Sequence, residues 1–313
     1  MTRRLRERVG EAIRTHGLWS PDDRVAVAVS GGVDSVVLLD LLVATARWHR
    51  GRLEVVTIDH RLRPDSADDA AFVAGIAADR GLGCRVIPVE VTGPGEAAAR
   101  DARYLALAAV PVDRVALAHH ADDVAETVLV NLMRGTGLAG LAAIRWRRDR
   151  YVRPLLEATR DEIRGYAIAR GLDWREDPTN RDPRYLRNRI RREVIPLLDA
   201  IRPGASAAIA RTGRDLADDE QALRAQVPAG AGPWTTAFAI TAPPAIVRRA
   251  LATVAPGIGP RIVTAVIRAA RRGSGRIPCR GGGAFVVENG AIWFHSPSGE
   301  VTSASAVLPM SGK

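Results

Sequence analysis

Apolar residues in the first half of the chain follow two spacings in turn. Residues 25–29 read VAVAV, β-branched valine alternating with alanine, and predict a short buried strand. Similar runs predict strands over 53–58, 84–91 and 114–118. Between them, helical periodicity predicts helices over 36–47, 66–79 and 96–109. Ahead of the first strand, Leu5, Val9 and Ile13 lie at helical spacing and predict a short amphipathic helix. Further on, Arg153, Pro154 and Leu155 read as a last strand, followed by Thr159-Arg160-Asp161-Glu162, a capping box opening a helix to about Arg170. Strand alternating with helix predicts an α/β fold, a doubly wound parallel sheet with helices on both faces. Ligands of such sheets sit beyond the carboxyl ends of the strands.

The pattern changes near residue 200. A connecting helix is expected over 203–226 and a Pro/Gly-rich linker over 227–236. A small α+β region should follow, with helices near 244–254 and 261–271 and strands over 276–279, 284–288 and 291–295. Asn289-Gly290 is a hairpin turn between the last two strands. The expected division is a large domain over 1–200, a connection over 201–235 and a small C-terminal domain over 236–313. The last dozen residues should fray.

Polar groups collect at the expected strand ends. The first strand runs directly into Ser30, Gly31, Gly32, Val33, Asp34 and Ser35 and then an apolar helix. Strand, glycine turn and helix N-terminus present backbone N–H groups to an anion. Ser30 and Ser35 add hydroxyls, and Asp34 is placed to hold a cation or cap the helix. The common phosphate loop is excluded, because it needs an internal lysine and the only lysine is Lys313. The second strand ends in DHRLRPDS at 59–66, and the third in a glycine turn before a helix carrying Arg100 and Arg103. The fourth ends in His119, His120, Ala121, Asp122, Asp123, Val124, Ala125 and Glu126. Asp123 and Glu126 share one helix face, with Val128, Leu129 and Leu132 expected to bury the other. These acids also suit a helix N-terminus as ordinary first-turn residues. Two histidines ahead of them point instead to a site, although no third zinc ligand is visible. Residues 185–192, YLRNRIRR, open a helix with an arginine-rich face, either solvated or contacting phosphate.

Bulk properties narrow the partners. The chain has 313 residues and 47% hydrophobic content, and its formal net charge is +10, which favours a polyanionic partner. The basic run 268–280, RAARRGSGRIPCR, looks like a phosphate-backbone surface. Cys84 and Cys279 form no CxxC pair, which argues against structural zinc, an iron–sulfur cluster or a thioredoxin-like motif. No apolar run reaches the ~18 residues of a membrane span, and no signal-peptide core follows the basic N-terminus. No membrane association and a cytoplasmic location are expected.

The hexapeptide SGGVDS at 30–35 resembles the PP-loop of the N-type ATP pyrophosphatases. With it come DHRLRPDSADDA at 59–70, ARDARY at 99–104 and HHADDVAETVLVNLMRGTGLAGL at 119–141. RPLL at 153–156 and EDPTNRDPRYLRNRIRREVIPLL at 176–198 complete the set. In this order the chain resembles the tRNA(Ile)-lysidine synthetases over roughly its first two thirds; the C-terminal part matches only weakly, and its length resembles that of the short members. The resemblance implies ATP-dependent adenylation of C2 of the wobble cytidine in an isoleucine tRNA with a CAU anticodon. The amine of free lysine then attacks C2, and AMP leaves. It implies that Ser30 to Ser35 bind the ATP phosphates and that Asp34 helps to hold Mg²⁺. Asp123 and Glu126 would receive and deprotonate the lysine ammonium. His119 and His120 would border the reacting centre, Arg103 and Arg187 would face phosphate or the developing charge, and Asn188 would orient the cytosine or its loop. A tRNA thiolase shares the loop, but it needs cysteines for sulfur transfer or a cluster. A non-catalytic tRNA-binding protein would bind ATP without releasing pyrophosphate.

Overall fold

The computed structural model describes residues 2–49, 52–61, 66–93, 95–142, 144–176, 182 and 184–301, with only the main chain at 47–49 and 96–97. Residues 62–65 of the second strand-end cluster, 177–180 of the polar loop and the C-terminal dozen lie outside the described residues. The chain forms two compact units, Met1–Ala217 and Asp218–Lys313.

The first unit opens with α1 (Thr2–Thr15), β1 (Arg24–Ala28), α2 (Val33–His49), β2 (Arg52–Asp59) and α3 (Ser66–Ala78). It continues with β3 (Cys84–Pro88), α4 (Glu96–Ala108), β4 (Arg114–Ala116), α5 (Ala121–Met133) and α6 (Leu138–Leu141). Next come β5 (Arg147–Arg148), β6 (Tyr151–Val152), α7 (Arg160–Arg170) and α8 (Leu186–Arg189). A π-helical turn (Ile190–Val194) leads into α9 (Ile195–Ile201), and α10 (Ala205–Ala225) crosses the division between the units. The sheet order is β3-β2-β1-β4-β6-β5. All neighbours are parallel except the short β5–β6 pair. Val27 of β1 lies between Val55 of β2 and Ala116 of β4.

Hydrophobic burial sets this arrangement. One sheet face is covered by Leu5, Val9 and Ile13 of α1, Leu38, Leu41 and Leu42 of α2, and Ile163 and Tyr166 of α7. The other packs Ala26, Val56 and Val115 against Leu107 and Val110. Each fully buried valine or leucine contributes roughly 1.5–3 kcal/mol relative to exposure. The expected amphipathic first helix and the doubly wound sheet are thus both present. The expected last strand sits earlier: β6 is Tyr151–Val152, and Arg153 begins the turn beyond it. Proline at 154 cannot donate to a ladder, so pairing stops before it. Leu132 does not bury the back of α5 but is 58% exposed near the helix end, while Val124, Ala125 and Val128 pack against Ile190, Ile195 and Ala210.

The second unit contains β7 (Trp234–Thr235), α11 (Thr236–Thr241), α12 (Pro244–Ala252), α13 (Pro260–Arg272), β8 (Gly275–Pro278), β9 (Ala284–Glu288) and β10 (Ala291–His295). Its antiparallel sheet has the order β7-β10-β9-β8. Asn289 and Gly290 both take positive φ, 51° and 75°, as a type I′ hairpin turn requires. The end of the expected linker is instead structured: Trp234 is buried and pairs with Ile292. A two-residue strand paired with a distant partner leaves no local periodicity to read. Glu220 of α10, fully buried, accepts from Arg249 of α12 and from Arg224, so this unit begins inside the connecting helix.

Candidate active site

The chain passes from β1 to β2 on one side of the sheet, while β4 opens the other side. The crevice between the carboxyl ends of β1 and β4 is therefore a topological switch point, where ligands of open parallel sheets bind. The 30–35 loop borders it from β1 and the His119-His120 pair from β4.

The loop is braced internally. The Ser30 N–H donates to Ser35 Oγ at 3.1 Å, and the Ser35 hydroxyl donates to the Gly32 carbonyl at 2.8 Å. The same carbonyl accepts the Ser35 and Val36 N–H groups at 3.0 Å, and the Gly31 carbonyl accepts the Arg175 N–H at 2.9 Å. Gly31 is buried at φ +83°, a conformation that side chains resist. These bonds turn the chain so that α2 begins at the crevice, with its first N–H groups lacking intrahelical partners.

His120 links the two sides. Its ring is 1% exposed. Nε2 lies 3.6 Å from Asp34 Oδ2 and 3.5 Å from Asp123 Oδ2, and Nδ1 lies 3.5 Å from Asp122 Oδ2. Burial opposes charging this imidazole. The Asp123, Asp122 and Asp34 carboxylates outweigh it and raise the His120 pKa to about 10. His119 goes the other way. Burial, reinforced by Arg153, Arg103 and Arg187 against the pull of Asp123, lowers it to about 3, and its Nδ1 is buried without a partner. At neutral pH His120 is thus protonated and the adjacent His119 neutral. Burial disfavours the Asp123 carboxylate, but His120 and Arg187 outweigh it and hold Asp123 ionised well below the usual range.

Asp123 and Glu126 do share one helix face, and the structure shows what fills it. The His120 N–H donates to Asp123 Oδ2 at 3.0 Å, closing a capping box at the start of α5. Arg187 Nη2 donates to Asp123 Oδ1 at 2.9 Å, and Arg187 Nε to Glu126 Oε2 at 2.7 Å. Glu126 is fully buried and also accepts from Arg160 Nη2 at 3.0 Å and from Arg191 Nε at 2.6 Å and Nη2 at 2.9 Å. Glu126 is therefore not a free carboxylate. Nor is the arginine face of 185–192 simply solvated: Arg187 and Arg191 turn inward, while Arg189 pairs with Glu193 on the outside. Asn188 is buried, and its side chain donates to the Asp182 carbonyl at 2.9 Å, so it braces the loop before α8.

Arg103 projects from α4. Its Nε is buried without a partner, burial lowers its pKa, and its guanidinium lies over the Tyr104 ring with Arg100 on the same ring. His60, at the end of β2, has a buried unpartnered Nδ1; burial and then Arg103 lower its pKa. The pairing roles of Arg160 and Arg191 carried no sequence signal, because they are made between residues 34 and 65 positions apart. Asp34 Oδ1 is a buried carboxylate oxygen with no partner. A hard divalent cation takes one or two carboxylates and completes its shell with phosphate oxygens and water, so this oxygen fits that role. Among the described residues no three or more His, Cys, Asp or Glu side chains are arranged so that they could hold a metal ion by themselves. Cys84 opens β3 at the opposite strand end from the crevice, and Cys279 belongs to the second unit.

Residues 1–198 match the PP-loop domain family, an ATP-utilising type. A tRNA(Ile)-lysidine synthase of Rhodococcus jostii is 40% identical over 283 residues, covering 84% of this chain and 85% of that protein. This chain belongs to the tRNA(Ile)-lysidine synthase family. A member from Geobacter sulfurreducens is 45% identical over 222 residues, 66% of this chain and 47% of the relative. The chain thus spans about half the length of that family member and most of the Rhodococcus one. The U34-tRNA thiolase NcsA from Methanococcus maripaludis, solved with its 4Fe-4S cluster, superposes with a TM-score of 0.56 at 20% identity. It covers 69% of this chain and 78% of the thiolase, a likeness of fold. No described helix is long and apolar enough to cross a membrane.

Proposed function

We propose that this chain attaches free L-lysine to C2 of the wobble cytidine of an isoleucine tRNA with a CAU anticodon, consuming ATP. The observation that carries this reading is the convergence of the glycine loop, the His-His-acid group and Arg187 at one switch point in a member of the lysidine synthase family. The C2 carbonyl oxygen attacks the α-phosphorus, and pyrophosphate leaves. The lysine ε-amine then attacks C2, loses a proton, and expels AMP with the original oxygen.

The residues divide this work. The loop N–H groups and the Ser30 hydroxyl would hold the phosphates, while Ser35 braces the loop. Mg²⁺, held by Asp34, would neutralise the leaving pyrophosphate. Arg103, whose Nε is buried without a partner, and Arg187 would meet the adenylate phosphate as charge develops there. Asp123, ionised and at the crevice, is the carboxylate that receives the lysine ammonium. His120 ties Asp34 to Asp123, so the phosphate and lysine sides share one charged group. Arg271, Arg272 and Arg276 of the second unit are exposed and have no ion pair among the described residues, which suits a tRNA backbone. A cytoplasmic setting goes with these substrates.

The deciding experiment follows labelled lysine into a CAU-anticodon isoleucine tRNA transcript with ATP and Mg²⁺, while AMP and pyrophosphate are measured. Lysine-dependent labelling that disappears in Asp34→Ala and Asp123→Ala is expected. Pyrophosphate release with no lysine transfer from the unaltered chain would refute the acceptor.

A further inference from the structure

Glu126 occupies an unusual position for a group expected to meet substrate. Its side chain is fully buried, and both oxygens are spent. Oε1 accepts from Arg160 Nη2 and Arg191 Nε, at 3.0 and 2.6 Å. Oε2 accepts from Arg187 Nε and Arg191 Nη2, at 2.7 and 2.9 Å. A carboxylate offers about four lone-pair positions, and four charge-assisted bonds use them all. No acceptor remains for an ammonium.

The donors come from two stretches of chain, α7 and the continuous helical run of α8 and the π-helical turn. Arg160 is the first residue of α7, and its own N–H donates to Asp122 Oδ2 at 2.8 Å. Arg187 lies on α8, and Arg191 lies on the π-helical turn that follows. Ile190, at the start of that turn, is buried in the apolar cluster with Val124, Ala125 and Val128 of α5. Such turns widen a helix by one residue and are frequent at functional sites. Here Arg187 and Arg191, four residues apart, both reach one carboxylate. With Nε on Glu126, Arg187 places Nη2 2.9 Å from Asp123 Oδ1. Arg191 lies 3.8 Å from Asp123 and contacts it only weakly.

We propose that Glu126 is a positioning residue, a buried anchor that gathers Arg160, Arg187 and Arg191 and so holds Arg187 against Asp123. It is neither the lysine ligand nor the base. Those tasks fall to Asp123, an assignment that rests on the proposed lysine-transfer reaction. The anchoring itself follows from the contacts alone.

Glu126→Gln keeps the volume but replaces one acceptor oxygen with an NH₂ that faces guanidinium donors. It should slow tRNA adenylation, measured as pyrophosphate release without lysine, roughly 10- to 100-fold, the usual cost of losing an outer support of a reacting group. Arg187→Ala should slow the same step, and the double variant should be no slower than Arg187→Ala alone. Arg191→Ala, which removes two of the four bonds yet has only a weak contact with Asp123, should reproduce part of the loss if Glu126→Gln fails to fold. Amide exchange over residues 186–194 should rise in Glu126→Gln and Arg191→Ala. A raised lysine KM with adenylation unchanged would make Glu126 a lysine ligand and overturn the proposal. So would independent, multiplying losses in the double variant, unaltered adenylation in Arg191→Ala, or unchanged exchange over 186–194. If the unaltered chain releases pyrophosphate but transfers no lysine, the acceptor is wrong, while adenylation and exchange still judge the anchor.

Discussion

Two adjacent glycines in the 30–35 loop should respond to the same substitution in opposite ways. Gly31 has φ +83°, and an added Cβ would meet Phe72 and Val73 at 3.5–3.6 Å, ordinary contact distance. The cost of Gly31→Ala is therefore conformational. Left-handed backbone costs an L-residue about 1–2 kcal/mol. Restricting the unfolded chain returns about 0.4–1 kcal/mol wherever the native conformation is compatible, which here it is not. A net loss of roughly 1 kcal/mol or more is expected. Gly32 has no positive φ, and its added Cβ would find only Ser30 Oγ, at 3.6 Å. Gly32→Ala should leave folding stability unchanged or raise it by up to about 1 kcal/mol. If the loop cradles phosphate with its main chain, that methyl occupies space the ligand needs. Urea denaturation gives the first quantity, and calorimetric titration with a non-hydrolysable ATP analogue gives the second. Gly32→Ala should keep or raise its unfolding midpoint and lose at least about tenfold in nucleotide affinity, roughly 1.4 kcal/mol. Full affinity in Gly32→Ala would refute the close approach of phosphate to this backbone.

The second unit supplies two further tests. Replacing Arg271, Arg272 and Arg276 together by alanine should weaken tRNA binding and reduce its salt slope by up to about 3, with ATP affinity unchanged. An unaltered tRNA affinity in filter binding would remove this surface from the interface. The buried Glu220 carboxylate accepts from Arg249, itself buried, and at 2.7 Å from Arg224. Arg249→Ala should destabilise this unit by about 3–5 kcal/mol in chemical denaturation, whereas Glu220→Leu with Arg249→Met should be near neutral. Burial opposes the Glu220 charge, but Arg249 and Arg224 prevail and lower its pKa below 4.5. Its stabilisation is thus complete above pH 4.5 and is lost as pH falls through the lower folded-state value. A pH profile below 4.5 identical in the unaltered and doubly substituted chains would refute that.

What local pattern can carry was carried well. The valine-alanine alternation of 25–29, the helical spacing of Leu5, Val9 and Ile13, the Thr159–Glu162 capping box and the Asn289-Gly290 turn all stand close to where their spacing puts them. These signals are short in range, since backbone propensity and capping act within a few residues. The failures are the two-residue strands. The strand expected at Arg153 sits at Tyr151–Val152, and Trp234–Thr235 lay hidden in a Pro/Gly-rich stretch. Both exist because distant strands offer them hydrogen bonds.

The same division runs through the site. By itself the sequence determined that a glycine loop ends one strand and that a histidine pair and an acid pair end another, because strand-to-helix transitions place them there. Only the tertiary structure decided which of those charges are free. Packing α5 against α7, α8 and the π-helical turn brings Arg160, Arg187 and Arg191 onto Glu126 across 34 to 65 residues of chain. It also gives His119 and His120, identical in type and adjacent in sequence, opposite protonation states. Charge state follows from burial and from the sign of whatever packs alongside, and neither quantity is written in the local order of residues.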